Sequence, residues 1–306
     1  MDPLFGPDFV VLSLPPMLIA TLAALACALP GNFLLLRRQA MLGDAISHVV
    51  LPGIVVAFLI TGTAATLPIL IGSAAAALLA VGMIEVVRRL ARVDSGAAMG
   101  VTFTTLFAAG VLLLELSGAG AVHLDVEHAL YGNLESLIWL DATGWASLFD
   151  QAALAGLPPE MLRIGVVLAV ISALIAVFWR PLVIASFDEP YAATRGLPVR
   201  LIAAGLISVT ALAAVAAFSA VGSILTIAML ICPPAAARLM TNRIGPQVAV
   251  SLVLAALSAI FGWTIAGAGP ALLGLSGSVS AAGMIATTSG LMLGLAAIFG
   301  RHARST

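Results

Sequence analysis

Residues 65–87 read ATLPILIGSAAAALLAVGMIEVV, a run whose single charge, Glu85, stands just before the pair Arg88-Arg89. Coiled as an α-helix at about 1.5 Å per residue, the run covers the roughly 30 Å of a bilayer's hydrocarbon core. A barrel strand would instead alternate apolar and polar residues over about ten positions. Only helical bundles and closed barrels satisfy backbone hydrogen bonds in hydrocarbon, and an unbroken apolar run selects the helix. The tract Gly72-Ser73-Ala74-Ala75-Ala76-Ala77 suits close helix packing, because small side chains let backbones approach.

Similar runs recur at 11–36, 41–61, 97–117, 161–180, 201–218, 222–241, 246–267 and 279–300. The fold class is therefore all-α, a polytopic transmembrane helical bundle occupying 1–306 as one domain. About nine spans are expected, or eight to ten if the seventh is a broken helix. Of the 306 residues, 62% are hydrophobic and 9% charged, against about 25% charged in soluble domains. That composition excludes a cytosolic enzyme and a secreted domain. The net charge of −1 offers no basic field for nucleic acid. Cys27 and Cys232 lie in apolar runs without metal-type spacing, so neither a disulfide frame nor a structural metal site is expected. The acidic start, Met1 to Asp8, lacks the basic residues of a signal peptide.

All thirteen basic residues are arginine. Cytoplasmic loops carry the basic excess in membrane proteins. Arg37, Arg38, Arg88, Arg89, Arg92, Arg180, Arg195, Arg200, Arg238, Arg243, Arg301 and Arg304 all fall on one side of a nine-span bundle. That places the N-terminus outside and the C-terminus in the cytoplasm. The long segment 118–160 then faces out; it holds six acids and no arginine.

Ionisable groups inside a span are costly and point to function. In Gly43-Asp44-Ala45-Ile46-Ser47-His48-Val49-Val50-Leu51-Pro52-Gly53, Asp44 and His48 stand four apart on one helical face. A carboxylate with an imidazole suits a first-row divalent cation such as manganese, iron(II) or zinc. The alternative is an N-capping Asp44 and a packed, hydrogen-bonded His48. Pro52 lacks an N–H and lets this helix bend. Pro233 and Pro234 free the carbonyls of Met229 and Leu230, and a kinked or broken helix is expected there. Broken helices near the midplane commonly line substrate pathways. His123, Asp125, Glu127 and His128 offer four ligand types in six outer residues, read either as a solvated loop or as a metal-handover point. Glu115 and Glu85 read as helix-end carboxylates, and Cys232 as a small apolar residue or a soft ligand.

The loop 181–200 contains Asp188, a good N-cap, then Glu189, Pro190 in the first turn, Ala192, and Gly196 with Pro198 as a stop. Two turns of helix are unstable alone, so either a cytoplasmic partner or the bundle's own base holds them. No G-x-x-x-x-G-K-[ST] phosphate loop, H-E-x-x-H or G-x-S-x-G occurs, so the chain is not expected to be an enzyme.

The stretch Gly31-Asn32-Phe33-Leu34-Leu35-Leu36-Arg37-Arg38 followed by Gly43–Gly53 resembles the signature of manganese/zinc/iron ABC importer permeases. Tyr131-Gly132-Asn133, the Asp188–Gly196 loop and the Gly222–Leu239 segment match that family's later landmarks in order. Siderophore and vitamin B12 permeases share the architecture but carry a different motif at the first signature. This chain departs in having Cys232-Pro233-Pro234 where many relatives have one proline. The resemblance implies a pathway formed with a second permease subunit, a copy or a relative. It also implies cytoplasmic ATP-binding subunits and an extracytoplasmic metal-binding protein. Asp188, Glu189, Ala192 and Gly196 would belong to the coupling helix, and Asp44 and His48 to the cation route. The cargo would be a divalent metal ion, with no permanently bound cofactor and ATP on the partner. Two other readings are an ion-gradient-driven carrier, in which the Asp44–His48 pair relays protons, and a permease for a metal chelate such as a siderophore.

Overall fold

The computed structural model describes residues 7–63, 66–116, 134–272, 274 and 279–300, and leaves aside a few side chains within helices, among them those of Asp44 and His48. These residues contain helices and no strand. Helix α1 (Pro7–Leu12) leads into α2 (Leu14–Leu36), followed by α3 (Met41–Thr61), α4 (Thr66–Ala91) and α5 (Ser95–Leu116). Two 3-10 turns (Leu134–Ser136 and Trp145–Phe149) and α6 (Gln151–Leu154) precede α7 (Pro159–Val177) and α8 (Trp179–Phe187). The chain ends with α9 (Glu189–Thr194), α10 (Val199–Met240), α11 (Ile244–Leu272) and α12 (Ala281–Phe299). Seven described helices are long and apolar enough to cross a membrane, with α10 counted once. Helix α3 covers the segment predicted over 41–61.

Helix α2 is the centre of the bundle and packs against α7, α10 and α11. Many of its buried residues are small, including Ala20, Ala23, Ala24, Cys27, Ala28 and Gly31. Small residues are what close approach between helices requires where lipid provides no hydrophobic drive. A similar contact joins α3 to α4: a Cβ at Gly53 would lie 2.6 Å from the Gly72 carbonyl oxygen. The small-residue tract of the opening stretch thus begins at a helix crossing.

The two ends of the bundle differ in chemistry. At one end, Trp139 donates its backbone N–H to Val11 O (2.9 Å) and its indole N–H to Ala153 O (2.8 Å). There Glu135 caps α12 by accepting from the Ala281 N–H at 2.8 Å, and Asp150 caps α6. The described part of the acidic segment is therefore packed and capped. Arg163 also follows this segment, near Glu160. His123, Asp125, Glu127 and His128, with Tyr131-Gly132-Asn133, lie outside the described residues. At the other end, Arg37, Arg38, Arg88, Arg89 and Arg200 gather around one cavity.

Helix α10 has its break at the boundary expected between the segments 201–218 and 222–241, and none at the prolines. It passes through Pro233-Pro234, and its non-helical residue is Gly222 (φ 77°, ψ 176°). Arg200 lines the cavity beside Arg37, while Gln247, just inside α11, donates to Asn32 of α2 at 3.2 Å. Both ends of α10 thus lie near the C-terminal end of α2. A straight helix would set Arg200 and Met240 about 60 Å apart. The chain bends back at Gly222 instead, so α10 carries the sixth and seventh predicted segments as its two arms. A proline deletes one hydrogen bond and crowds the carbonyl four residues earlier, which tilts a helix; a positive φ with ψ near 180° turns the backbone into a region that is essentially glycine's alone. Gly31 lies directly against the Leu230 carbonyl and the Pro234 ring, so α2 accommodates the group that Pro234 displaces.

Candidate transport pathway and coupling helix

Asp44 lies in the first turn of α3 and His48 one turn later, while the N-cap position belongs to Ala40. Their side chains lie outside the described residues, but the backbone places both on a stripe that continues through Pro52 and Val55. The helix runs on through Pro52 to Thr61. Pro52 meets α5, where a Cβ at Gly110 would lie 2.9 Å from it, and Val55 packs with Leu114. On neighbouring faces, Ala45 and Val49 are buried and Gly43 meets Leu230 of α10. Leu42 shares the arginine-lined cavity with Ala203, and Ile54 packs on Val215 and Phe218. The first arm of α10 therefore runs alongside α3, with Thr210, itself fully buried, near the level of His48. The second arm reaches the start of α3 through Leu230. The carboxylate–imidazole pair thus belongs to a helix packed against α4, α5 and both arms of α10. Among the described residues, no group of three or more His, Cys, Asp or Glu forms a metal cage. Cys27 is buried and Cys232 half-buried.

The loop after α8 folds as its residues dictate. Asp188 Oδ1 accepts the Tyr191 N–H at 2.9 Å, Pro190 occupies the first turn, and Gly196 takes a positive φ of 75°. Leu197 N–H returns to Ala192 O at 3.1 Å, closing the C-terminus of α9. Ala192 is fully buried, so within the expected coupling set it seats the helix on the bundle. The bundle holds the helix through Arg37 as well, which bridges Glu189 Oε1 (3.0 Å) and Ala185 O (3.1 Å). Tyr191 and Phe187 are about half exposed, and the Arg195 guanidinium lies 5.8 Å from the Tyr191 ring centre. Any partner meets that surface rather than Ala192.

Two features escaped the reading by residue type. Arg37 served there as a marker of sidedness and as part of the family signature, although it also ties α2 to α9. Asn32 passed as part of an apolar run, yet it donates to Ala28 O (2.7 Å) and Ser251 Oγ (3.1 Å) and accepts from Gln247. A fully buried amide in a spanning helix was the available signal, since buried polar groups require partners.

The sequence profile of the ABC 3 transport family matches residues 12–143 and 145–298. The chain belongs to this family. It is similar to the manganese transport system membrane protein MntD of Bacillus subtilis, at 42% identity over 257 residues, 83% of this chain and 84% of that protein. The zinc transport system membrane protein TroD of Treponema pallidum is 34% identical over 92% of this chain and 72% of that protein. Among solved structures, PsaBC from Streptococcus pneumoniae in complex with Fab superposes with a TM-score of 0.75 at 26% identity, covering 95% of this chain and 92% of that one. An inward-facing metal-chelate-type ABC transporter shares the fold, with a TM-score of 0.66 at 15% identity over 93% of this chain and 85% of that one. This ABC 3 family member is a multi-pass membrane permease, a transport component whose partner hydrolyses ATP.

Proposed function

We propose that the chain is the membrane subunit of an importer that moves a divalent metal ion, manganese, zinc or iron(II), into the cytoplasm. The observation that carries this reading is the Asp44–His48 pair on α3, a carboxylate and an imidazole one turn apart in an apolar helix packed within the bundle. The naming of manganese, zinc and iron systems among its relatives supports the cargo class. A second permease subunit completes the pathway, and an extracytoplasmic metal-binding protein delivers the ion. The arginine-bearing end faces the cytoplasm, where ATP-hydrolysing subunits seat α9 through the surface around Tyr191. Closure of those subunits moves α9 and, through the Glu189–Arg37 contact, α2. Asp44 and His48 act as passing ligands, few enough to release the ion. Pro52, Pro233 and Pro234 belong to the helices beside that route, and His123, Asp125, Glu127 and His128 to the point of handover.

Proteoliposomes carrying the whole transporter and enclosing ATP are expected to transport radioactive manganese when the external binding protein is supplied. Uptake that ignores ATP and collapses with the proton gradient would overturn the reading in favour of a gradient-driven carrier. For the coupling helix, Asp188→Ala removes a cap worth about 1 kcal/mol. Co-purification of the ATPase subunit should fall severalfold. Asp188→Asn, which caps equally well, should retain the complex. Equal retention by both variants would show that the cap of α9 plays no part in docking.

A further inference from the structure

A cavity of about 520 Å³ opens at the arginine-bearing end, between the ends of α2, α4 and α8 and the starts of α5 and α10. Five arginines and two glutamates line it. The glutamates are already engaged: Glu85 with Arg88 (2.8 Å) and Arg89, Glu189 with Arg37 (3.0 Å). Among the described residues, Arg38 and Arg200 have neither an ion pair nor a side-chain hydrogen bond, though both line the same space. Deeper in, the Arg37 side chain is only 8% exposed, yet its Nε–H has no acceptor. Ser186 Oγ and Gln39 Oε1, also on the wall, are buried without partners. Buried polar groups are ordinarily satisfied, so the two unpaired donors on this wall, the Arg37 Nε–H and the Ser186 hydroxyl, mark an occupant that accepts hydrogen bonds; Gln39 Oε1 is itself an acceptor and adds nothing to that count.

We propose that this cavity binds the phosphate of an acidic lipid headgroup. A phosphodiester offers several acceptor oxygens to guanidinium forks and to a hydroxyl, the donors that stand unpaired here. A divalent cation is repelled by the same excess of positive charge, so the cavity is not a site for the cargo. A lipid is favoured over free phosphate by position. The cavity sits where spanning helices end, its wall includes Leu36, Val81 and Ile84, and Val86 and Leu90 on the same turns of α4 are exposed. Basic pockets between spanning helices suit anionic headgroups. The proposal rests on the membrane-spanning fold and is independent of which metal is carried.

Native mass spectrometry of the purified transporter, permease with its ATPase subunit, with phosphatidylglycerol, phosphatidylcholine or inorganic phosphate added in turn, tests it. Phosphatidylglycerol should remain bound under conditions that strip phosphatidylcholine, and Arg38→Gln with Arg200→Gln should lower its occupancy roughly tenfold. The charge-keeping pair Arg38→Lys with Arg200→Lys should keep most of it, which separates loss of binding from loss of fold. Equal retention of the two lipids, or unchanged occupancy in the glutamine pair, overturns the proposal. Inorganic phosphate displacing the lipid at millimolar concentration would identify a free-anion site and overturn the lipid assignment. Loss of the ATPase subunit from the glutamine pair with lipid occupancy unchanged would reassign the patch to protein docking, which also overturns it.

Discussion

Uptake of radioactive manganese should fall by about tenfold or more in His48→Ala, with the protein at normal membrane levels. Even groups that merely orient a metal ligand typically cost about 10–100-fold when removed. On the proposed function His48 and Asp44 are ligands themselves, one turn apart in α3. Ala45 and Val49, next to them in the helix, are apolar and buried. Asp44→Asn should weaken transport less than Asp44→Ala, since an amide oxygen still coordinates but contributes no charge. ATP hydrolysis by the partner subunits should persist in each variant, which separates a lost cation ligand from a lost coupling contact. Wild-type uptake in both His48→Ala and Asp44→Ala would remove these residues from the cation route.

The second large effect is expected at Gly222→Ala. At φ 77° and ψ 176° the backbone lies in a region that is essentially glycine's alone, and a side chain there costs about 1–3 kcal/mol. The cost falls on the residue that reverses α10, so relaxing the strain would move two arms that both pack against α2. The melting temperature of the purified protein should drop by several degrees, and uptake should drop with it. Gly205 supplies the control within the same helix. A Cβ there meets nothing within 4 Å and its φ is not positive. Gly205→Ala should be neutral or stabilise by up to about 1 kcal/mol, the usual gain from replacing glycine in a helix. Equal melting temperatures for the two variants would show that Gly222 is not a strained reversal.

Much of α9 was legible in its residues. Asp188, Pro190, Gly196 and Pro198 each act within a turn of their own position, and each does in the structure what its side chain permits. The direction in which that helix faces was not legible. Ala192 is as small as the exposed Ala193 beside it, and only the fit against the bundle separates the two. The prolines of α10 show the opposite failure. Pro233 and Pro234 carry a strong local signal for a break, while Gly222 carries a weak one, since glycine is common in close-packed spans. The bend went to the glycine because both ends of α10 must return to the same end of α2. A glycine permits that reversal, whereas Pro234 needs only the small adjustment that Gly31 allows.

What the amino-acid sequence determined by itself is residence in a bilayer, an all-helical fold, the positions of the spanning segments, and the family signature around Asp44 and His48. These are local properties: a run of about twenty apolar residues, or two ligands four apart, means the same wherever the chain goes next. Tertiary structure alone decided that Gly222 is the residue that makes the reversal between the sixth and seventh spans, the anchoring of α9 by Arg37, the Asn32–Gln247–Ser251 cluster and the gathering of five arginines around one cavity. Each of these joins residues far apart in the chain, or depends on where such residues meet. Their energies come from enclosure by helices that no short window contains, and in a chain only 9% charged, the few polar groups act through the partners the fold brings to them.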